Sequence, residues 1–235
     1  MNSIQKTART AGFLYLMYIV TTIAADVLGR SKLIVFGDAA ATARNIMSSE
    51  WQFRAGITGD LVSAVFFLLA AWALYVLLKP VNKDLALTFL LLNLAGVAVY
   101  SINLLNQFAA VLLLSGADYL KGFQTDQLQA LALFFLNLHH NGYWISQIFF
   151  AAWLFPLGYL VFKSGFLPRI LGIVMMVHFV GWLMTFLQFF LFPGLGAITY
   201  VTYPLGFISE FGLTLWLLIK GVNVEKWKES ALGSA

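Results

Sequence analysis

The chain has 235 residues, of which 61% are hydrophobic and 10% charged, whereas a soluble domain carries roughly 25% charged residues because water must solvate its surface. This composition excludes a water-soluble fold and points to one membrane domain. The formal charge of +4 comes from basic residues at the ends of apolar runs, which argues for topology and against nucleic acid, and the absence of Cys removes disulfides, thiolate metal sites and thiol nucleophiles.

The first run, Ala11 to Gly29, follows Lys6 and Arg9 and ends in small residues, as in a signal peptide. Its length is near the ~20 residues that cross a bilayer, so it is read as a retained first spanning helix. Five further runs follow: Ile57 to Leu78, Leu85 to Leu114, Gly142 to Phe162, Ile170 to Phe192 and Ile198 to Ile219. Each is long enough for about 30 Å of hydrocarbon, and the third is over-long, so it should tilt or protrude. The expected fold is all-α, a polytopic bundle of six transmembrane helices forming a single domain over residues 1–235. Pro80 and Pro168, each flanked by Lys or Arg, mark tight hairpin turns at Lys79 to Lys83 and Lys163 to Arg169.

Alternating the loops places nine cations on one side (Lys6, Arg9, Lys79, Lys83, Lys163, Arg169, Lys220, Lys226 and Lys228) and five on the other. The positive-inside rule then predicts both termini in the cytoplasm of a cell whose cytoplasmic membrane holds the protein. The two long connections, Arg30 to Gly56 and Ser115 to Asn141, fall outside and should contain short helices. One is expected over Asp38 to Ile46 behind an acidic cap. Another, over Asp126 to Leu138, is too short to span and is read as an interfacial helix or an outward extension of the fourth span.

Several loop blocks occur together: Arg30-Ser31-Lys32-Leu33-Ile34-Val35, Gly37-Asp38-Ala39-Ala40-Ala41-Thr42-Ala43, Leu78-Lys79-Pro80-Val81-Asn82, and Lys163-Ser164-Gly165-Phe166-Leu167-Pro168-Arg169-Ile170-Leu171-Gly172. In this order they resemble a bacterial multi-pass membrane-protein family catalogued as domain of unknown function four-three-eight-six, over nearly the whole chain. The resemblance extends to Phe53-Arg54, Asp60-Leu61, Ile102 to Asn106, Leu138-His139 and Glu210. It implies a multi-pass membrane protein and no activity. The chain departs from the pattern at Trp153, where many family members carry His, so a role built on that His does not carry over.

Polar residues inside the runs are the functional signal, since an ionisable group at the bilayer centre costs at least ~2.5 to 3.5 kcal/mol on insertion scales. Glu210 is about 18 Å from the outer end of the sixth run and His178 about 12 Å from the inner end of the fifth, so in a bilayer about 30 Å thick their depths coincide. Glu210 reads as a proton-relay or ligand-anchoring acid, or as interhelical glue. His178 alone reads as structural. Toward the outer side lie Asp26, Arg54, Asp60, Asn103, Asn106, Gln107, His139, His140, Gln147 and Gln188.

Helical spacing gathers the polar and small residues into stripes. One runs Tyr15, Tyr18, Thr22, Ala25, Asp26; another Asn93, Gly96, Asn103, Asn106, Gln107; a third His178, Gly181, Thr185, Gln188; a fourth Thr202, Gly206, Ser209, Glu210. Facing each other, they predict a polar cavity open to the outer side, lined by Asp26, Arg54, Asp60, Asn103, Asn106, Gln107, His139, Gln147, His178, Gln188 and Glu210. Close packing of small and amide residues without a void is the alternative.

His139 with Asp60 and Glu50 is one conceivable metal set, but adjacent His139 and His140 diverge by about 100° on a helix, so no metal and no cofactor is expected. No serine elbow, phosphate loop or dinucleotide fingerprint is present. The sequence-level function is binding or transport of a small molecule or lipid, with an intramembrane enzyme on a lipid-like substrate or an accessory subunit as alternatives. Membrane lipid and a small-molecule or lipid ligand are the expected partners, nucleic acid is not, and the oligomeric state stays open.

Overall fold

A computed structural model describes residues 3–192 and 199–233, the side chains of 199–201 excepted. Among the described residues there are helices and no strand, and six helices are long and apolar enough to cross a membrane: Ser3–Arg30, Glu50–Leu78, Lys83–Leu113, Thr125–Ser164, Arg169–Leu191 and Thr202–Ile219. The protein is an all-α polytopic membrane bundle. Only helices and closed barrels satisfy every backbone group without water, which is why apolar runs of this length fold this way.

In chain order the elements are α1 (Ser3–Ala24), passing into a π-helical turn at Ala25–Arg30, then α2 (Ala39–Ser48), α3 (Glu50–Leu78), α4 (Lys83–Leu113) and a 3-10 turn at Asp118–Leu120. They continue with α5 (Thr125–Ala152), α6 (Leu154–Ser164), α7 (Arg169–Leu191) and α8 (Thr199–Gly206). A second π-turn at Phe207–Phe211, α9 (Gly212–Ile219) and α10 (Val224–Gly233) complete it. The expected turn between the fifth and sixth spans, residues 193–198, lies outside the described residues.

Helix ends differ from the apolar runs where polar residues continue a helix beyond its apolar stretch. The second span starts at Glu50 rather than Ile57, and the fourth at Thr125 rather than Gly142. The segment Asp126 to Leu138 is therefore an extension of the fourth span. Within that span the helix loosens at Trp153, four residues after Phe149, to whose carbonyl its N–H still bonds at 3.1 Å. The cause is Pro156, which has no N–H for the carbonyl of Ala152.

The chain forms two compact units, one of residues 1–17, 66–97 and 146–235, the other of residues 18–65 and 98–145. In the first, α6 and α7 form a hairpin. Gly165 ends α6 at φ 69°, a left-handed C-cap, and the Ser164 hydroxyl accepts the Leu167 N–H at 3.2 Å. The two helices meet backbone to backbone, since a Cβ on Gly158 would lie 2.8 Å from the Gly172 carbonyl oxygen. The other turn is set by Asn82, whose side chain accepts the Leu85 N–H at 2.9 Å. The Gln5 amide donates to the Lys220 carbonyl at 2.9 Å and accepts the Val222 N–H at 3.1 Å, tying α1 to the end of α9.

In the second unit the loop after α1 is structured. Asp38 caps α2 by accepting the Ala41 N–H at 2.8 Å, and the Thr42 hydroxyl both accepts from and donates to Val35. An apolar cluster of Leu33, Ile46, Phe53, Ile57, Val111 and Leu136, among others, holds α2 to the beginnings of α3 and α5 and the end of α4. Ile46 lies outside the spans, so its near-complete burial contributes about 1.5–3 kcal/mol. That driving force is absent between helices in lipid.

Candidate functional site

The second unit gathers its polar residues around Arg30. The π-turn stacks Arg30 on Asp26, with Nη2 3.3 Å from Oδ1. Nη1 forms an ion pair with Asp60 of α3, whose side chain is wholly buried. The Tyr100 hydroxyl lies near the same guanidinium. Its ring lies 6.4 Å from that of His139 and 6.3 Å from that of Tyr143. His139 is gripped from α4. The Asn103 amide donates to the His139 carbonyl at 2.8 Å and lies 3.1 Å from Nδ1, and the Gln107 amide lies 2.7 Å from Nε2. Asn106 donates to Asn103 Oδ1 at 2.9 Å. Gly142 permits this close approach, because a Cβ there would stand 2.1 Å from Asn103 Oδ1. Asp26 and Asp60 thus belong to a group on Arg30, and Asn103, Asn106 and Gln107 to a group on His139, the two linked by the Tyr100–His139 ring contact, and each ring nitrogen of His139 has a neighbour.

The first unit holds a different centre. Pro204 interrupts α8, lacking an N–H for the carbonyl one turn back, and the π-turn that follows carries Glu210. The Tyr15 hydroxyl donates to Glu210 Oε2 at 2.7 Å, and His178 Nδ1 lies 3.7 Å from Oε1. Ser209 Oγ stands 3.1 Å from the same Nδ1. The side chain of His178 is 1% exposed and that of Glu210 23%. His178 Nε2 has no hydrogen-bond partner among the described residues and faces Gly206, where a Cβ would lie 2.9 Å away. Further along the same helices, the Thr185 and Thr202 hydroxyls meet at 3.0 Å and Thr202 packs on Gly181. The stripes of the fifth and sixth spans face each other, as small residues at a membrane helix interface allow.

The family model described as "Domain of unknown function (DUF4386)" matches residues 10–221. The chain belongs to this family. It is also similar to an uncharacterized protein of Archaeoglobus fulgidus, 28% identical over 165 residues that make up 70% of this chain and 83% of the relative. No solved structure matches it. Membership places the two centres within the family's matched region without assigning either an activity.

Trp153, where the family resemblance expects His, is buried in an aromatic group. Its ring lies 6.2 Å from that of Tyr15, 4.9 Å from Phe67 and 6.2 Å from Phe89. The residue at that position therefore supports the tyrosine that binds Glu210. Of the remaining predicted site residues, Arg54 joins neither network: it pairs with Glu50 at 2.6 Å and covers the Phe108 ring at 5.6 Å. Gln147 is buried in the first unit, and Gln188 keeps a buried Oε1 without a partner among the described residues.

Glu50 is thus engaged away from Asp60 and His139, and among the described residues no group of three His, Cys, Asp or Glu side chains is placed to hold a metal ion. Four participants were absent from the predicted lining: Tyr15, Arg30, Tyr100 and Ser209. Tyr15 and Ser209 stood on predicted stripes. Tyr100 is three residues before Asn103 and seven before Gln107, on their face. Arg30 was counted as a loop charge, although its i,i+4 spacing from Asp26 was a usable signal.

Proposed function

We propose that this protein is a proton-linked binding or transport module for a small polar or lipid-like solute, with Glu210 as its working acid. The observation that carries the reading is the setting of Glu210: a partly exposed carboxylate in a π-turn of the last span, between a tyrosine hydroxyl and a histidine whose Nε2 has no hydrogen-bond partner among the described residues. Ionisable groups in spans are costly and mark solute or proton pathways, and π-turns within α-helices are frequent at functional sites. In this role Glu210 accepts a proton or the cationic group of a solute, Tyr15 orients the carboxylate, and His178, with Nδ1 3.7 Å from Oε1, is the neighbouring group that shares the proton with it. The excess of Lys and Arg at one set of loops supports the cytoplasmic membrane, with both termini in the cytoplasm.

The test is a pH step across proteoliposomes with an entrapped pH-sensitive dye, run with a panel of small amines, amino acids and sugars. Wild-type protein should give a solute-dependent response, and Glu210→Gln should behave as protein-free vesicles do. Equal responses of wild type and Glu210→Gln throughout the panel would overturn the proposal.

A further inference from the structure

A second site lies in the first unit, where the turn between α3 and α4, the end of α6 and the C-terminal helix come together. There a pocket of about 530 Å³ is lined by Pro80, Val81 and Asn82 of the turn, Tyr159 and Lys163 of α6, and Ser230 and Gly233 of α10. The lining contains no carboxylate. It does contain donors: the Lys163 ammonium, held 5.8 Å from the centre of the Tyr159 ring, the Tyr159 and Ser230 hydroxyls, and the Asn82 amide. Because Asn82 Oδ1 is occupied by the Leu85 N–H, that side chain has its N–H groups to offer. Among the described residues no acidic side chain forms an ion pair with Lys163.

The helix that closes the pocket is fixed in place. Trp227 Nε1 donates to the Leu77 carbonyl at 2.8 Å, and the Asn223 N–H donates to the Phe166 carbonyl at 3.2 Å. Ser230 follows Trp227 by three residues and so shares its face. In the sequence, Lys79, Lys83, Lys226 and Lys228 flank the lining residues, against Asp84, Glu225 and Glu229.

Four donors on one lining, of which Lys163 is a cation, with no carboxylate among them, fit an anion with several acceptor oxygens. The pocket also sits where α3 and α6, both parts of spanning segments, come to an end. That is the level of lipid headgroups, where basic residues attract anionic lipid. We infer that this pocket binds a phosphate group, carried by the headgroup of an anionic phospholipid.

Native mass spectrometry of the full chain in detergent, titrated with phosphatidylglycerol or phosphatidylcholine, tests this. Phosphatidylglycerol should bind wild type with preference, roughly fivefold more weakly to Lys163→Gln, more weakly to Ser230→Ala, and undiminished to Lys163→Arg. Lys121→Gln, at an exposed lysine paired with Asp118 in the other unit, should match wild type. Equal binding to wild type and Lys163→Gln, or equal weakening in Lys121→Gln, overturns the site. Inorganic phosphate is the second probe: failure to displace the lipid assigns the headgroup as the ligand, whereas displacement keeps the site and overturns the lipid as its source.

Discussion

The two polar centres differ in what each carboxylate is given. In the second unit Asp60 is wholly buried, and its charge is met by Arg30, which also holds Asp26. In the first unit Glu210 has no Lys or Arg partner among the described residues, only a tyrosine hydroxyl, a histidine at 3.7 Å and partial exposure. A buried charge neutralised by a fixed opposite charge is a structural tie, because neither partner can leave without exposing the other. A carboxylate beside a titratable ring keeps its protonation open to change. The lesson is that polarity within spans does not by itself mark a working site; uncommitted capacity does.

Stability measurements can break this contrast, and the largest effect is expected at the ion pair. Arg30→Met leaves Asp60 buried without its cation and should cost about 3–5 kcal/mol, read as earlier thermal unfolding in detergent, with Arg30→Met/Asp60→Leu recovering most of it. An unchanged midpoint for Arg30→Met would mean that the pair is no tie. Next comes Gly142→Ala, whose added methyl meets Asn103 Oδ1 and should cost about 1–3 kcal/mol as overpacking. Stability equal to wild type there would show that the grip on His139 is loose. Glu210→Gln retains an acceptor for Tyr15 and should lose no more than about 1.5 kcal/mol, so its loss of vesicle response would be chemical rather than a failure to fold. Smallest is Asp26→Asn. Its side chain is 54% exposed, and the change should stay within about 1 kcal/mol; a larger loss would place Asp26 with Asp60 in the structural tie.

Much of the first centre was legible because helical rise is constant. Residue counting put Glu210 and His178 at one depth, and the two side chains do meet. Their tyrosine partner was visible only as a member of a stripe, since nothing local to Tyr15 specifies which helix it will face. In the second centre Asn103, Asn106 and Gln107 were gathered by periodicity, and His139 was grouped with them only by its position along the fourth span. Arg30 was not: it stands at the boundary of an apolar run, where a charge ordinarily snorkels to water. The N-terminal extension of the fourth span was likewise masked by Gln127, Asn137, His139 and His140, because apolar length measures the hydrocarbon crossing and not the helix.

Class, number of crossings and turn positions follow from local chemistry. Within hydrocarbon a backbone must bond to itself, so apolar runs become helices, and Pro80, Gly165 and Pro168 end them wherever they fall. The division of labour between two carboxylates is not local. It depends on how each helix is rotated about its axis and on two π-turns, at Ala25–Arg30 and Phe207–Phe211, that wind extra residues into a helix without altering its hydrophobicity. Whether an acid meets a guanidinium or a histidine is settled by that rotation, which arises only when the helices pack.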